Sequence, residues 1–161
     1  MGTEEQNPSS PVDSGLSSPV HLLAAHLAVL VAVIHVTLGL YNWVRWASAG
    51  FLIPRDLRWP LFVFSGVVLV VGLLLAAQGR YRRPLYVGGI LLMAVYVVGY
   101  FAWHATGHRP LLLFGEGATH AGPLVPFLLD HLFAGPVKFL AIVSEVTLAV
   151  LLAYLLVRED R

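Results

Sequence analysis

The sequence predicts an all-α integral membrane protein, a bundle of four transmembrane helices with a disordered N-terminal tail and an interfacial or re-entrant segment between the third and fourth. Three observations carry this. Hydrophobic residues make up 58% of the chain and charged residues only 12%, about half the charged share of a soluble domain. Four stretches run nearly free of charge for more than about 18 residues, and roughly 20 residues at 1.5 Å each cross a 30 Å hydrocarbon core. Prolines 60, 84 and 136 stand at or just before the expected starts of the last three, where a missing N–H does no harm.

Residues 1–19, MGTEEQNPSSPVDSGLSSP, are polar, rich in Ser and Pro, and contain no Lys or Arg. Such a segment buries too little apolar surface to offset its ordering entropy, so a disordered cytoplasmic tail is expected. A signal peptide would need a basic start, a shorter apolar run and a small-residue cleavage site, so the first helix is expected to stay in the mature protein. The Met-Gly start does not complete a myristoylation motif, because position 6 is Gln rather than Ser or Thr.

Crossings are expected at 20–42, 60–78, 84–104 and 137–157 within a transmembrane domain spanning 20–157, leaving 158–161 as a C-terminal tail. In the connection between the third and fourth, LLLF at 111–114 and PLVPFLLDHLF at 123–133 are too apolar for open water and too short to cross. They read as pieces that cap the outer mouth of the bundle.

Four crossings put both termini on one side. Lys and Arg divide evenly between the two sides, but Arg80, Arg82 and Arg83 crowd the shortest loop, which tilts the positive-inside rule toward cytoplasmic termini in the cell membrane. The other interface gathers Trp43, Trp46, Trp59 and Trp103 with Tyr41, Tyr100 and Phe101, rings that anchor at headgroup level. The absence of cysteine excludes disulfides, thiolate metal sites, iron–sulfur clusters and a thiol nucleophile. A formal charge of +1 offers no basic surface for nucleic acid. The partners expected are the lipid bilayer and further copies or subunits, as a homo-oligomer or in a larger membrane complex. Nine arginines against one lysine, with abundant Ala, Val and Leu, hint at a high-GC prokaryotic source.

The first crossing, HLLAAHLAVLVAVIHVTLGLYN, carries histidines at 21, 26 and 35. A helix turns 100° per residue, so His26 and His35 point in opposite directions, while His21 and His35 share a face roughly 21 Å apart. They do not form one site. His35 shares its face with Ala24, Ala28, Ala32, Gly39 and Asn42, small residues that let membrane helices approach closely, so it is expected to face the bundle interior. His26 faces the leucine side, and His21 sits at the cytoplasmic boundary.

Glu145 lies near the middle of the fourth crossing, with Ala141 and Ala149 a turn to either side and Lys138 two turns back on the same face. An ionisable residue at helix centre costs about 2.5 to 3.5 kcal/mol on insertion scales and usually faces protein. The first helix runs outward and the last inward, which sets His35 and Glu145 within about 1.5 Å of one depth. The first and last helices of a closed bundle adjoin, so the two are expected as a buried polar pair. Such a pair shares a proton that can rest on either residue, as a relay requires. The plainer reading is a hydrogen bond that fixes helix register.

Other constellations are weaker. His104 and His108 stand at i, i+4, a spacing that suits a metal, with His120, Glu116, Asp130 and His131 further along the loop. Gly107 and Pro110 suggest that the helix ends there, no zinc signature is present, and scattered interfacial histidines are the favoured reading. A b-type haem would need two histidines at one depth, but His35 and His104 are offset by roughly 8 Å. Tyr96, Tyr100 and Asn42 are candidates to line a cavity, with core packing near the interface as the plainer account. Gly66, Gly72, Gly88, Gly89 and Gly99 read as close-packing positions. No catalytic motif is present, and no cofactor is expected. The favoured function is a small non-catalytic accessory or membrane-anchor subunit. The alternative is a proton-coupled or small-solute transport protein using Glu145 and His35. A metal- or quinone-linked redox subunit is a weaker third.

Overall fold

The computed structural model describes residues 18–54, 56–108 and 123–159. The first 17 residues of the expected tail, the LLLF stretch, Glu116 and His120 lie outside the described residues. All described secondary structure is helical, in the order α1 (Pro19–Ser48), α2 (Arg58–Ala77), α3 (Arg82–Ala105), α4 (Leu124–Phe133) and α5 (Pro136–Glu159). Among the described residues there is no strand. Four of the helices, α1, α2, α3 and α5, are long and apolar enough to cross a membrane, the make-up of a membrane protein.

Local chemistry sets the boundaries. Ser18 caps α1, its hydroxyl accepting from the His21 backbone N–H at 3.3 Å, and Pro19 occupies the first turn. The helix does not stop at Asn42, as the sequence suggested. It runs on to Ser48, because no glycine or proline follows Asn42 until Gly50, whose φ of 88° turns the chain away. Trp43 and Trp46 therefore belong to the helix rather than to a loop. Gly79, at φ 73°, ends the turn after α2. α3 stops at Ala105, after which Gly107 and His108 take φ of 79° and 61°. α4 is ten residues long, about 15 Å, too short to cross.

α1 packs against α2 and α5, α3 packs against α5, α2 meets α3 more lightly, and α4 rests on α5 and α3. The α1–α2 approach depends on absent side chains: a Cβ on Gly39 would come within 2.7 Å of the Trp59 carbonyl oxygen and of Val63, and one on Gly66 within 2.5 Å of Val36. Gly89 does the same for α3 and α5, where a Cβ would lie 2.6 Å from Leu152. Two of the expected close-packing glycines do not serve that way. A Cβ on Gly88 or Gly99 would meet nothing within 4 Å, because both stand where no neighbouring helix approaches. The core runs through Val31, Tyr86, Met93, Tyr96, Leu148 and Leu155. Outward faces carry Val33, Phe64, Val95, Val98 and Val150, all more than half exposed, a surface suited to lipid tails rather than to water.

Candidate functional site

Four helices converge on the His35 side chain. From α1, the ring of His35 is 5% exposed, and its Nδ1 lies 2.9 Å from the Val31 carbonyl oxygen. A carbonyl only accepts, so Nδ1 carries a hydrogen and Nε2 faces outward from the helix. From α5, Glu145 is 2% exposed and its Oε1 stands 3.3 Å from His35 Nε2. From α3, Tyr96 stacks on the imidazole, centroids 3.8 Å apart and planes 11° from parallel. From α2, Phe62 meets the same ring edge-on at 4.8 Å. The Tyr96 hydroxyl donates to Ser65 Oγ on α2, which in turn lies 2.7 Å from the Leu61 carbonyl oxygen.

The pair can hold one proton in two ways: the Glu145 carboxyl donates to Nε2, or an imidazolium Nε2–H donates to a carboxylate. Both keep the same heavy-atom contact. The second carboxyl oxygen, Oε2, is buried and has no hydrogen-bond partner among the described residues. A buried oxygen left unpaired is costly, of order 1–3 kcal/mol even when uncharged, so this atom is the open coordination point of the site. Lys138, on the same face of the sequence-derived helix wheel, is exposed.

Toward the His21 end the pair is closed off. Val31, Met93 and Leu148 are each at most 1% exposed and stand about one turn nearer that end than His35, Tyr96 and Glu145 on their respective helices. Beyond them lies a cleft of about 250 Å³ that reaches the His21 end. Asn42, Tyr96 and Tyr100, expected as cavity lining, do not line this cleft. Asn42 instead donates from Nδ2 to the Leu38 carbonyl oxygen of its own helix at 2.9 Å. Tyr96 is consumed by the His35 stack, and Tyr100 packs on His104 at 4.2 Å.

At the other end, the rings of His104, His108 and His131 lie together, with centroid separations of 4.9, 5.2 and 5.6 Å. The i, i+4 spacing of His104 and His108 is not a shared helical face, since the helix ends between them. Nδ1 of His104 points to the Tyr100 carbonyl oxygen at 2.8 Å, and Nδ1 of His131 to that of Phe127 at 3.0 Å. Among the described residues, no three His, Asp or Glu side chains are arranged to hold a metal. His120 lies outside them. Haem ligation by His35 and His104 fits poorly, because His35 is level with Tyr96, eight residues and about 12 Å short of His104. His26 is exposed and turned to the Leu22 carbonyl oxygen at 2.7 Å.

Sequence reasoning missed Ser65 and Phe62, the α2 side of the site, although Ser65 is a hydroxyl inside an apolar crossing and the depth arithmetic used for Glu145 applies to it equally. It also missed the anchor beside the histidine cluster, where Arg58 forks onto the 7% exposed Asp56 carboxylate while its guanidinium lies 3.6 Å from the Trp103 ring centre. Comparison of the chain with protein-family models, curated proteins and solved structures gives no match, so the chemistry of the site rests on its own geometry.

Proposed function

We propose that the chain is a multi-pass protein of the plasma membrane, its four long helices inserted as a bundle with both termini cytoplasmic, and that Glu145 and His35 share one exchangeable proton that drives proton-coupled or small-solute movement. The observation that carries this is the unpartnered Oε2 of a buried glutamate whose other oxygen faces a histidine nitrogen at 3.3 Å. Intramembrane ionisable residues of this kind mark proton relays and substrate paths. Four helices leave little room for a whole pathway, so further copies of the chain complete it. The test is reconstitution into vesicles with an entrapped pH-sensitive dye: an imposed pH gradient should collapse faster than in empty vesicles, and Glu145→Gln should abolish the difference. Equal rates for the wild type and Glu145→Gln would reject it.

The closed layer of Val31, Met93 and Leu148 favours a second reading, in which the pair only fixes the register of α1 on α5 and the chain serves as an accessory or anchor subunit. Its support would be another membrane protein co-purifying stoichiometrically in gentle detergent, with Glu145→Gln weakening assembly and no flux in vesicles.

A further inference from the structure

The His21 end of the helices holds two hollows that share walls. One, of about 250 Å³, is lined mainly by small and apolar side chains, among them Ala28, Gly72, Gly88 and Leu152. The other, of about 340 Å³, is lined by Ser18, Arg82, Tyr154, Arg158 and Glu159. His21 and Leu155 belong to both, so an apolar compartment adjoins a polar one where the spans end.

Two buried polar atoms at this end have no hydrogen-bond partner among the described residues: His21 Nε2 and Arg82 Nε. The arginine nitrogen can only donate. Ser18 neighbours the histidine: its Oγ accepts from the His21 backbone N–H at 3.3 Å and lies 2.6 Å from His21 Nδ1. In the tautomer in which the Ser18 hydroxyl donates to Nδ1, the ring carries its hydrogen on Nε2, which is then a second donor. Buried polar atoms in folded proteins are nearly always paired, and here two of them lack a partner in one pocket.

Among the described residues, the charge around them has one sign in excess. Arg80, Arg82, Arg83 and Arg158 gather at this end against Glu159. Arg82 Nη1 is 4.0 Å from the Glu159 carboxylate, leaving its Nε unused, and Arg158 lies over the Tyr154 ring at 5.2 Å. A ligand matching these features has acceptor oxygens with negative charge at one end and a hydrocarbon chain at the other. Basic pockets between membrane helices bind anionic lipid headgroups for the same reasons.

We propose that the two hollows form a binding site for one anionic phospholipid, an acyl chain entering the cleft past Gly88 and the headgroup phosphate accepting from Arg82 and His21. Gly88 has nothing within 4 Å of an added Cβ, so a larger side chain there fills the cleft without displacing protein. The site stands apart from the His35–Glu145 pair, behind the layer of Val31, Met93 and Leu148.

Native mass spectrometry of the full-length protein, released from nanodiscs of equal parts phosphatidylglycerol and phosphatidylcholine, reads the retained lipid directly. One phosphatidylglycerol per chain is expected, favoured about tenfold over phosphatidylcholine on the strength of charge-assisted hydrogen bonds. Arg82→Gln should erase the preference, and Gly88→Leu should prevent retention of either lipid. Equal retention of both lipids by the wild type would overturn the proposal, as would retention unchanged in either variant. So would an empty wild type, the result if residues 1–17 fill the hollows themselves. Inorganic phosphate bound equally by the wild type and Gly88→Leu would assign the headgroup pocket to free phosphate and reject the lipid.

Discussion

The imidazole of His35 lies flat on the phenol ring of Tyr96, 3.8 Å between centroids, and this stack determines what the histidine can do. With Nδ1 tied to the Val31 carbonyl oxygen and one face covered, the ring cannot rotate without breaking both contacts. Nε2 is therefore aimed permanently at α5, where Glu145 supplies its partner. A fixed ring facing a longer, more flexible carboxyl gives the pair one mobile member. Any exchange of the proton with the surroundings then goes through Glu145, the residue with the unfilled oxygen.

Tyr96 offers a way to separate the stack from the hydroxyl. Tyr96→Phe keeps the ring and removes the donation to Ser65, an expected loss of about 1 kcal/mol. Tyr96→Leu also removes the stack, worth roughly a further 0.5–1.5 kcal/mol, and frees the His35 ring. Unfolding of the two purified variants in mixed micelles measures both. A Leu variant as stable as the Phe variant would mean the stack contributes nothing.

Much of this arrangement was legible in the sequence, and the reasons are specific. Pro60, Pro84 and Pro136 in the first turns and the long uncharged runs announce where helices exist. Small residues on one face of α1 point His35 inward, and depth along antiparallel helices puts Glu145 level with it. What the sequence could not carry is the set of pairings that depend on which helices touch. Gly39, Gly66 and Gly89 meet neighbours whereas Gly88 and Gly99 do not, and nothing in their local sequence distinguishes them. The same applies to His131, which reaches His104 only because α4 folds back onto α3. The extension of α1 to Ser48 was missed because Asn42 and the aromatic belt resemble a membrane boundary, and helix geometry does not end where the apolar run ends.

The contact between His35 and Glu145 is expected to show as coupling. His35→Leu leaves the Glu145 carboxyl wholly unpaired in the interior, and Glu145→Leu leaves His35 Nε2 so, each costing about 1–3 kcal/mol. The double replacement removes both polar groups at once and should be less damaging than the sum by about 0.5–3 kcal/mol. Strict additivity in unfolding measurements on the four proteins would show that the two do not interact.

The glycines give a test of the helix contacts that is independent of the pair. Gly39→Ala forces a Cβ to 2.7 Å from a backbone carbonyl oxygen, which cannot yield as a side chain does. A loss of about 1–3 kcal/mol is expected from overpacking. Gly99→Ala meets open space and should be neutral or stabilising by up to about 1 kcal/mol through the helical preference for alanine. Thermal unfolding of the two variants should move in these opposite directions, and a matched response would indicate that α1 and α2 are not in close contact there.

The layer beneath the pair decides between the two functional readings. Leu148 is fully buried, lines the cleft at the His21 end and stands three residues from Glu145, roughly 4.5 Å along the axis. Leu148→Ala should cost about 2–5 kcal/mol and extend the cleft to the level of the carboxyl. An apolar cavity alone stays dry, but this one would adjoin an oxygen that lacks a partner, which gives an entering water something to bind. Hydrogen–deuterium exchange at the Glu145 carboxyl, followed by infrared spectroscopy with Glu145→Gln as the reference, should therefore be faster in Leu148→Ala than in the wild type. If the pair relays protons, the same variant in vesicles should leak them more rapidly, because the barrier on the His21 side has been removed. If the pair serves only to hold α1 against α5, exchange should quicken while the vesicle pH gradient decays no faster than in the wild type. Unchanged exchange in a folded Leu148→Ala protein would show that water is excluded by something other than this layer.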